Sequence, residues 1–594
     1  MKKIALILTI ILVLSVVLAS CNNPDETTTT TTTEAPATHE CVAGEWDIIT
    51  YPTDKTEGLK EQKCVECGEV LRSETLKAST GLKFTKVGET YTLQGRGECK
   101  DTSVIVPSTY DGLPVTAIAN SAFNGDTILV NILVGEHVNS IGDNAFYNCT
   151  SLKSIDLPKT LTKTGSNAFY NCSLLENVYF HGVLVDWLNI DHANEYSNPT
   201  TNNTKLYIDG ELLVDLYIPE GEIQVKQYAF VGCDSLKSLA MADTVNSIHV
   251  GAFKRALALE KVEIGTSILN IGEYAFAGCA SLKDLRLNEN LMEIGQYSFQ
   301  NCVSLVDLVI PDSVMAIKAN AFNGCSILTN CTLGASLTAI ETNAFYNCIS
   351  LRTLNICNGM QTFGADAFYN CFTLEHIYYD GTADEWAQLS FADVESNPIY
   401  LGAKFYIDGE LLRDLVLTEA TKVSNYAFYH CITLDTVKIT GVTTIGDYAF
   451  YNCPVLETVE VDGENVTVGY AAFNSCYQLK SAEMNGVVTL GSTVFQSCKY
   501  LETVSLPDCV TINEDAFAYC YHLKSVSLSN ALKTMYYRLF RDGTLFDTIY
   551  FEGTMEEWEA ISKPNNGYWG GYHTWLTYRV NTITIHCEDG EIRV

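Results

Sequence analysis

Apolar and polar positions recur along most of this chain in one fixed pattern. The stretch from Ile141 to Pro158 reads Ile-Gly-x-x-Ala-Phe-Tyr-Asn-Cys-x-x-Leu-x-x-Ile-x-Leu-Pro, and its first half returns as TGSNAFYNC, IGEYAFAGC, IETNAFYNC and IGDYAFYNC. The segment Leu152-x-x-Ile155-x-Leu157 has the spacing of a short strand whose alternate side chains enter a core. Pro158 ends that strand because proline cannot donate a hydrogen bond to the next one. The pattern therefore predicts one short strand in each repeat.

The repeat has a nearly constant period. Sixteen copies align on their phenylalanine, and most steps between copies are 23 residues, with several of 22. Two steps are longer, 61 residues from Phe169 to Phe230 and 60 residues from Phe368 to Phe428. A fixed period of this size is typical of a solenoid, in which each coil covers its apolar face by stacking on its neighbours. We expect the small alanine to allow close backbone approach and the phenylalanine to fill the middle of each coil.

Cysteines follow the same period. Thirteen of them lie three residues after the repeat phenylalanine: Cys149, Cys172, Cys233, Cys279, Cys302, Cys325, Cys348, Cys371, Cys431, Cys453, Cys476, Cys498 and Cys520. Equivalent positions of successive coils stack in one file, so we expect these side chains to be buried thiols that pack like small apolar residues. The alternative is that some of them form disulfides, as cysteines in secreted chains often do.

Three related segments depart from the repeat. VYFHGVLVDWLNI, IYYDGTADEWAQL and IYFEGTMEEWEAI each carry one tryptophan, Trp187, Trp386 and Trp558, which are candidate binding residues. The first two continue to YIDGELL, where Asp-Gly between apolar residues is a strong hairpin signal. We expect islands at about 178–218 and 377–417, each with a short helix and a hairpin, and a third copy as a cap over 549–594.

The richest aromatic loop lies inside that cap. The segment NNGYWGGYHTWLTY contains Tyr568, Trp569, Tyr572 and Trp575. Tyrosine and tryptophan are enriched in recognition surfaces. These four residues are candidate binding residues, and the alternative is that they form the core of the cap.

The N-terminus carries targeting signals. Lys2 and Lys3 precede an apolar run that is too short for a comfortable membrane span and is placed like the core of a secretory signal. The following Leu-Ala-Ser-Cys21 resembles the lipobox of bacterial lipoproteins, which implies a signal peptide over 1–20 and a lipid on Cys21. The alternative is an ordinary signal peptide. The threonine-rich stretch over 21–38 buries nothing and reads as an extended tether.

A possible metal site follows the tether. His39 and Cys41 are separated by one residue, and Cys64-x-x-Cys67 is followed by glycine. Two ligand pairs of this type fit a tetrahedral structural zinc site. A disulfide involving Cys64 or Cys67 and free thiols are the alternatives in this small module, over 39–80.

Composition limits the function. With 594 residues, 47% hydrophobic and 18% charged, the chain is folded and longer than one compact core. The formal net charge of -34 argues against nucleic acid as a partner, because phosphates need a basic surface. The sequence contains no Gly-x-Ser-x-Gly, no His-Glu-x-x-His and no phosphate-binding glycine loop. We therefore predict that the protein is not an enzyme and that it requires no cofactor, with zinc as a possible structural ion.

The repeat resembles the BspA-like leucine-rich repeat family of bacterial surface proteins over residues 117–548. The strands over 81–116 resemble the N-terminal cap of the same family. The resemblance implies a leucine-rich-repeat solenoid of short parallel strands with a loop or helical returning side, small β-rich N-terminal modules and α/β islands. It also implies a lipid-anchored protein on the outer face of a bacterial membrane that adheres to host matrix or cell-surface proteins. The alternatives are a glycan-binding surface module and an anchored scaffold or sensor.

Overall fold

The chain winds into a parallel β-solenoid of about 20 turns, which confirms the predicted fold class. The structure is a computed structural model that describes residues 40–221, 223–536, 538–563 and 583–593. The segments predicted as a signal peptide and a tether lie outside the described residues, as do Cys21, His39, Tyr568, Trp569, Tyr572 and Trp575. Each coil contributes one strand to each of two faces, and a loop closes the coil on the third side.

The longer strands form what we call the wide face. They form four sheets, and neighbours within each sheet pair in parallel: Ser103–Ile105, Asn131–Leu133, Ser154–Leu157, Asn177–Phe180 and Lys205–Ile208; Asp215–Ile218, Ser238–Met241, Lys261–Glu263 and Asp284–Arg286; Asp307–Val309, Asn330–Thr332, Thr353–Ile356, His376–Tyr379 and Lys404–Ile407; Asp414–Leu417, Thr436–Thr440, Thr458–Val468, Ser481–Leu490, Thr503–Leu506, Ser525–Ser529, Thr548–Glu552 and Thr584–Cys587.

The shorter strands form the narrow face. They are Leu113–Ile118, Ser140–Ile141, Lys163–Thr164, Asp191–His192, Gln224–Val225, Ser247–Ile248, Asn270–Ile271, Glu293–Ile294, Ala316–Ile317, Ala339–Ile340, Thr362–Phe363, Ser390–Phe391, Lys422–Val423, Thr444–Ile445, Thr511–Ile512 and Thr534–Met535. Two strands, Thr458–Val468 and Ser481–Leu490, are long enough to take part in both faces.

The remaining elements cap the array or belong to the islands. A three-stranded antiparallel sheet, β1 (Ala43–Thr50), β2 (Gly58–Cys64) and β3 (Val70–Leu76), forms the N-terminal module. The strands of the N-terminal cap are Lys83–Val87, Thr90–Gly95 and Thr109–Tyr110, and the returning strands of the hairpins are Glu211–Leu212, Glu410–Leu411 and Gly590–Arg593. The helices are α1 (Leu184–Leu188), α2 (Ala383–Gln388) and α3 (Met555–Ala560). The 3-10 turns are Glu195–Ser197, Pro199–Asn202, Val394–Ser396 and Pro398–Leu401.

A backbone hydrogen-bond ladder on the loop side holds successive coils together. In thirteen coils the amide of the repeat phenylalanine donates to the carbonyl of the alanine, or of the residue in its place, in the next coil, as from Phe322 to Ala344 at 2.8 Å. The rings then stack, and the centroids of Phe299 and Phe322 lie 5.3 Å apart with the planes within 3°. Both residues of the Ala-Phe pair therefore act between coils as well as within one.

The cysteine file extends this ladder. All thirteen side chains are fully buried with free thiols, as predicted. In eleven of them Sγ lies 3.0 to 3.4 Å from the carbonyl oxygen of the phenylalanine in the preceding coil, to which the thiol donates. The other two, Cys233 and Cys431, follow the islands and contact Ser235 and Thr433 instead. Each thiol thus satisfies a carbonyl as well as filling space.

The loop also needs left-handed backbone at two positions. In the coil at Phe146 these are Asn144, with φ of 53°, and Asn148, with φ of 59°. Asparagine tolerates this conformation better than most side chains, which explains its frequency in the motif. Tyr274 and Tyr448 take the first position in other coils, with φ of 55° and 56°.

Each island adds one coil to the array, which explains the two long steps in the period. The strands Asp191–His192 and Lys205–Ile208 continue the narrow and wide faces, and α1 and two 3-10 turns lie between or beside them. Lys205–Ile208 then turns into the predicted antiparallel hairpin through Asp209 and Gly210, both left-handed. The second island repeats this arrangement with α2 and Lys404–Ile407.

The island tryptophans are corrected from binding residues to core residues. Trp187 and Trp386 are fully buried, and Trp558 is 3% exposed. The indole of Trp187 donates to the carbonyl of Ala229 at 2.9 Å, and that of Trp386 donates to Ala427 at 2.7 Å. In an uninterrupted array these alanine carbonyls would accept from the phenylalanine amide of the preceding coil. The islands separate them from that amide, which donates to the carbonyl of Tyr196 in the first island and of Glu395 in the second. Their burial leaves no indole face for a ligand.

A buried histidine distinguishes the first island from the second. His192 is 1% exposed and makes contacts from both ring nitrogens, with Thr164 Oγ1 at 2.8 Å and Asn198 Nδ2 at 3.2 Å. Burial lowers the pKa of His192 to about 3. In the second island the same two strand positions hold Phe363 and Phe391, whose rings stack 5.3 Å apart. An uncharged polar pair and an aromatic pair thus fill the same place.

We predict that Phe322→Ala destabilises the array locally. Removing a buried ring from the stack costs about 3–5 kcal/mol. Because each coil contacts only its neighbours, hydrogen exchange measured by mass spectrometry should rise in the coils around Phe299 to Phe345 and much less elsewhere. The control Phe372→Ala, at a position 66% exposed, should change stability by about 0.5 kcal/mol or less. Equal effects of the two variants would contradict the stacking argument.

We predict that His192 makes the first island sensitive to acid. The pKa of His192 in the folded chain is below the ordinary 6.5. Between about pH 6.5 and about pH 3, this histidine is therefore protonated in the unfolded chain and neutral in the folded chain. The free energy of unfolding should therefore drop by about 2 kcal/mol between pH 7 and pH 5 from this residue, and it should gain nothing above pH 7.

The double variant Thr164→Phe/His192→Phe copies the second island and should lose this part of the pH dependence. Chemical denaturation of both chains at pH 7 and pH 5 measures the difference, because the carboxylates common to both chains cancel. Identical pH profiles would show that His192 is protonated in the folded chain.

Candidate functional site

Within each of the four sheets of the wide face, the outward side chains align because neighbouring strands pair in register. Asn355 lies opposite Tyr378, which lies opposite Tyr406, at steps that follow the repeat. We call the central row of outward residues the outer column, and it runs Asp156, Tyr179, Tyr207, Tyr217, Ala240, Glu263, Arg286, Val309, Thr332, Asn355, Tyr378, Tyr406, Val416, Lys438, Glu460, Glu483, Ser505, Ser527, Tyr550 and His586. Ligands that contact this column meet one side chain from every coil.

Aromatic pairs stand in the outer column at each island and at the cap. Tyr179 stacks on Tyr207 with ring centroids 4.7 Å apart, and Tyr378 stacks on Tyr406 at 4.5 Å with planes 22° apart. The cap pairs Tyr550 with His586 at 5.4 Å. Sequence reasoning missed these pairs, although alternation signals them: the aromatic between two inward residues in VYF, IYY and IYF must point outward.

Exposed apolar residues also occur in the outer column. Tyr217 is 59% exposed, Val309 is 68% exposed and Val416 is 53% exposed. They stand apart from the second aromatic pair, because Thr332 and Asn355 separate Val309 from Tyr378, and the returning strand Glu410–Leu411 pairs with the strand of Tyr406. Single exposed apolar residues are common on folded proteins, so the tyrosine pairs are the stronger candidates for a binding surface.

Charged side chains on the wide face pair with each other. Lys438 bonds Glu460 at 3.0 Å and Arg352 bonds Glu375 at 2.8 Å, in each case between neighbouring coils. All four side chains are more than half exposed, so these pairs add little stability. Lys438 and Glu460 themselves belong to the outer column, which therefore carries charged as well as aromatic side chains.

The N-terminal module covers the first aromatic pair. Its Tyr51 ring lies edge-on to His181, with the ring centroids 6.4 Å apart. The amide of Ser108, in the N-terminal cap, donates to the carbonyl of Pro52 in the module at 2.8 Å. Burial, and then the carboxylate of Glu45 on β1, raises the pKa of both Tyr179 and Tyr207. This part of the wide face therefore already contacts protein, from the same chain.

An outward leucine supports the same contact. Leu133 points away from the coil interior, between the inward Ile132 and Val134, and lies outside the array core, yet it is only 7% exposed. A leucine in this position is buried only if something lies over the face. The first coils of the wide face are thus covered, whereas the stretch from Val309 to Val416 is open to solvent at both ends.

Three of the four predicted metal ligands come together in the module. The sulfur atoms of Cys41, Cys64 and Cys67 all lie within 4.8 Å of one another, and Cys41 Sγ is 4.0 Å from Cys67 Sγ. The fourth, His39, lies outside the described residues.

A second cluster of acidic residues is structural. Asp393 accepts hydrogen bonds from the amides of Ser396 and Asp366, at 2.8 Å and 3.1 Å, and so caps a 3-10 turn of the second island. Burial, and then the charge of Asp393, raises the pKa of Asp366. This arrangement positions backbone and shows no acid-base pair poised over a cleft.

Among the described residues, no helix is both long enough and apolar enough to span a bilayer. The helices α1 to α3 have five or six residues each.

Comparison with solved structures finds other leucine-rich repeat proteins. A leucine-rich repeat protein from Bacteroides ovatus is 21% identical, over 76% of this chain and 94% of that chain, with a TM-score of 0.39. A leucine-rich cell surface protein from Faecalibacterium prausnitzii is 20% identical, over 82% and 98%, with a TM-score of 0.30. The pneumococcal vaccine antigen PcpA is 13% identical, over 82% and 94%, with a TM-score of 0.25. Comparison with curated proteins gives no match.

The family comparison covers more than half of the chain. The model described as "BspA type Leucine rich repeat region (6 copies)" matches residues 98–188, 206–329, 270–398 and 421–546. These ranges contain the Ala-Phe-x-x-Cys repeats and most of both islands. The chain belongs to the BspA-type leucine-rich repeat family.

Proposed function

We propose that this protein is a non-catalytic adhesin that binds an extracellular protein through the wide face of its array. Leucine-rich repeat proteins are generally protein-binding scaffolds, and proteins of this family are typically not catalysts. The observation that carries the proposal is the stacked, partly exposed pair of Tyr378 and Tyr406 on the outer side of the wide face. Stacked tyrosines offer rigid contact area at low entropic cost.

The first island supports a protein ligand. Its equivalent pair, Tyr179 and Tyr207, lies near the N-terminal module, whose Tyr51 contacts His181 and whose Glu45 adds to the effect of burial in raising the pKa of both tyrosines. The same aromatic geometry therefore occurs beside another folded unit of protein in the first island. A ligand for the second pair is expected to present a comparable edge or strand.

A glycan is the second candidate ligand. The rings of Tyr378 and Tyr406 stack on each other with their planes 22° apart, and His376 Nδ1 lies 3.3 Å from the Tyr406 hydroxyl. Such a platform with a polar rim also suits the apolar face of a sugar ring. Burial of Trp187 and Trp386 weighs against this candidate, because it removes the larger platforms.

We further propose that the protein is held at the outer face of a bacterial membrane by a lipid on Cys21. The lipobox-like Leu-Ala-Ser-Cys and the charged, then apolar, segment before it support this location. The threonine-rich segment after Cys21 then spaces the array away from the membrane.

The ligand is tested by binding the full chain to arrays of extracellular-matrix proteins, cell-surface proteins and glycans, at low and physiological salt. We expect a saturable protein ligand at physiological salt, and Tyr378→Ala/Tyr406→Ala should weaken it by about 30-fold, the loss from a hot spot of ~2 kcal/mol. The matched control is Tyr470→Ala, an exposed tyrosine on the loop side.

Three outcomes would count against this proposal. Loss of binding in the control alone would move the site to the loop side. Binding of glycans alone would favour the second candidate, and no binding to any of the three arrays would remove the adhesin proposal.

The anchor is tested by Cys21→Ala. The native chain should fractionate with membranes and incorporate labelled fatty acid, because the thiol of the cysteine carries the lipid. The variant should lose the label, whereas the control Cys587→Ala should keep it. Label retained in Cys21→Ala would exclude this residue as the anchor.

A further inference from the structure

The N-terminal module has almost no apolar interior. Of residues 40–80, all of which the structure describes, only Pro52, Gly58, Cys64 and Leu76 are buried, and none of them belongs to the core of the array. Every side chain of β3 except the last is exposed. Sheets this small do not stay folded through hydrophobic burial alone and are usually held by disulfides or a metal ion.

The three cysteines stand where the strands of the module meet. Cys41 lies two residues before β1, Cys64 is the last residue of β2, and Cys67 lies in the turn to β3. The register places Ala43 opposite Cys64, and the amide of Val65 donates to the carbonyl of Val42 at 3.0 Å. One ligand bound to all three sulfurs would therefore tie all three strands together at one end.

The turn after Cys64 is shaped to present two sulfurs to one side. The amide of Gly68 donates to the carbonyl of Cys64 at 2.9 Å, and the amide of Cys64 donates to the carbonyl of Glu69 at 2.8 Å. Gly68 closes the turn with φ of 74°, a left-handed conformation that glycine adopts without strain.

The spacing of the sulfurs fits a tetrahedral metal ion. With zinc-sulfur bonds of about 2.3 Å, tetrahedral geometry puts thiolates about 3.8 Å apart. Cys41 and Cys67 are 4.0 Å apart, and all three sulfurs fall within 4.8 Å of one another, so only small movements would be needed.

An odd number of thiols also favours a metal over a disulfide. A bond between any two of Cys41, Cys64 and Cys67 would leave the third thiol beside the disulfide and would join only two of the three chain segments. In contrast, the cysteines of the array are each spaced one coil apart and bond carbonyls of the preceding coil. The module is the place where the described residues gather three cysteine sulfurs within ligand distance of one another.

We propose that Cys41, Cys64 and Cys67 bind one Zn²⁺ ion as thiolates, and that this ion holds the N-terminal module folded. Each thiol loses its proton to solvent when its sulfur binds the ion, so three protons are released and no oxidant or reductant is needed. The site is structural and does not depend on what the wide face binds.

The test measures metal in the full chain. Elemental analysis after addition of Zn²⁺ and removal of the excess should give about one zinc per chain. Co²⁺ in its place should give an intense thiolate charge-transfer band with tetrahedral ligand-field bands, whereas Mg²⁺ should not compete. Cys64→Ser and Cys67→Ser should each lower zinc affinity by about 100-fold or more, and the control Cys587→Ser, at a half-buried position far along the chain, should bind as the native chain does.

Hydrogen exchange supplies a readout that does not depend on the variants folding. Removal of zinc from the native chain with a chelator should raise exchange in β1 to β3 and leave the strands between Ser238 and Phe363 protected. A chain that binds neither Zn²⁺ nor Co²⁺ would overturn the proposal. So would a mass spectrum showing a disulfide within this cysteine trio in the isolated chain, or zinc binding that survives in both Cys64→Ser and Cys67→Ser.

Discussion

The hydrogen bond from each repeat phenylalanine to the alanine carbonyl of the next coil is the interaction on which the rest of the structure depends. It sets the coil spacing at which rings such as Phe299 and Phe322 stack about 5.3 Å apart. The position before the phenylalanine is usually alanine, although Ser298, Val494 and Leu539 take it in three coils and keep the same hydrogen bond. The cysteine then fills the remaining space and donates its S-H to the phenylalanine carbonyl. One ladder thus accounts for all three residues of the Ala-Phe-x-x-Cys motif.

The islands show what happens when this ladder is interrupted. The phenylalanine amide before each island donates to a carbonyl of the inserted coil. The alanine carbonyl of the coil after the island therefore needs another donor. The indole of Trp187 and the amide of Asn198 both donate to Ala229, and Trp386 and Asn397 do the same for Ala427. Unsatisfied buried carbonyls are costly, so these side chains are retained for the ladder rather than for a ligand.

The same insertions place tyrosines on the opposite side of the coil. Strands such as His376–Tyr379 must turn Tyr379 inward against the tryptophan, so Tyr378 points outward. The first wide-face strand of each island therefore contributes one inward aromatic to the core and one outward tyrosine to the wide face. Core packing and the outward tyrosine surface thus depend on alternate residues of one strand. A shift of the strand by one residue would exchange the two sets of side chains.

The sequence alone determined the features that depend on spacing within one repeat. The period of 22 to 23 residues, the inward positions of each strand, the buried cysteine file and the Asp-Gly hairpins all follow from neighbours in sequence or from one step of the repeat. Such contacts recur from coil to coil, so many copies of the repeat identify the same inward and outward positions. The family resemblance rests on the same periodic residues.

Only the tertiary structure decided the features that join segments at irregular distances. Trp187 meets Ala229, Glu45 lies near Tyr207, and Cys41 meets Cys67, and no period relates these pairs. Trp187 and Trp386 therefore looked like surface aromatics, whereas the tyrosine pairs that do face outward were missed. The reason is physical: an aromatic side chain gains free energy either by burial or by exposure to a ligand, and the sequence does not say which until the chain around it is placed.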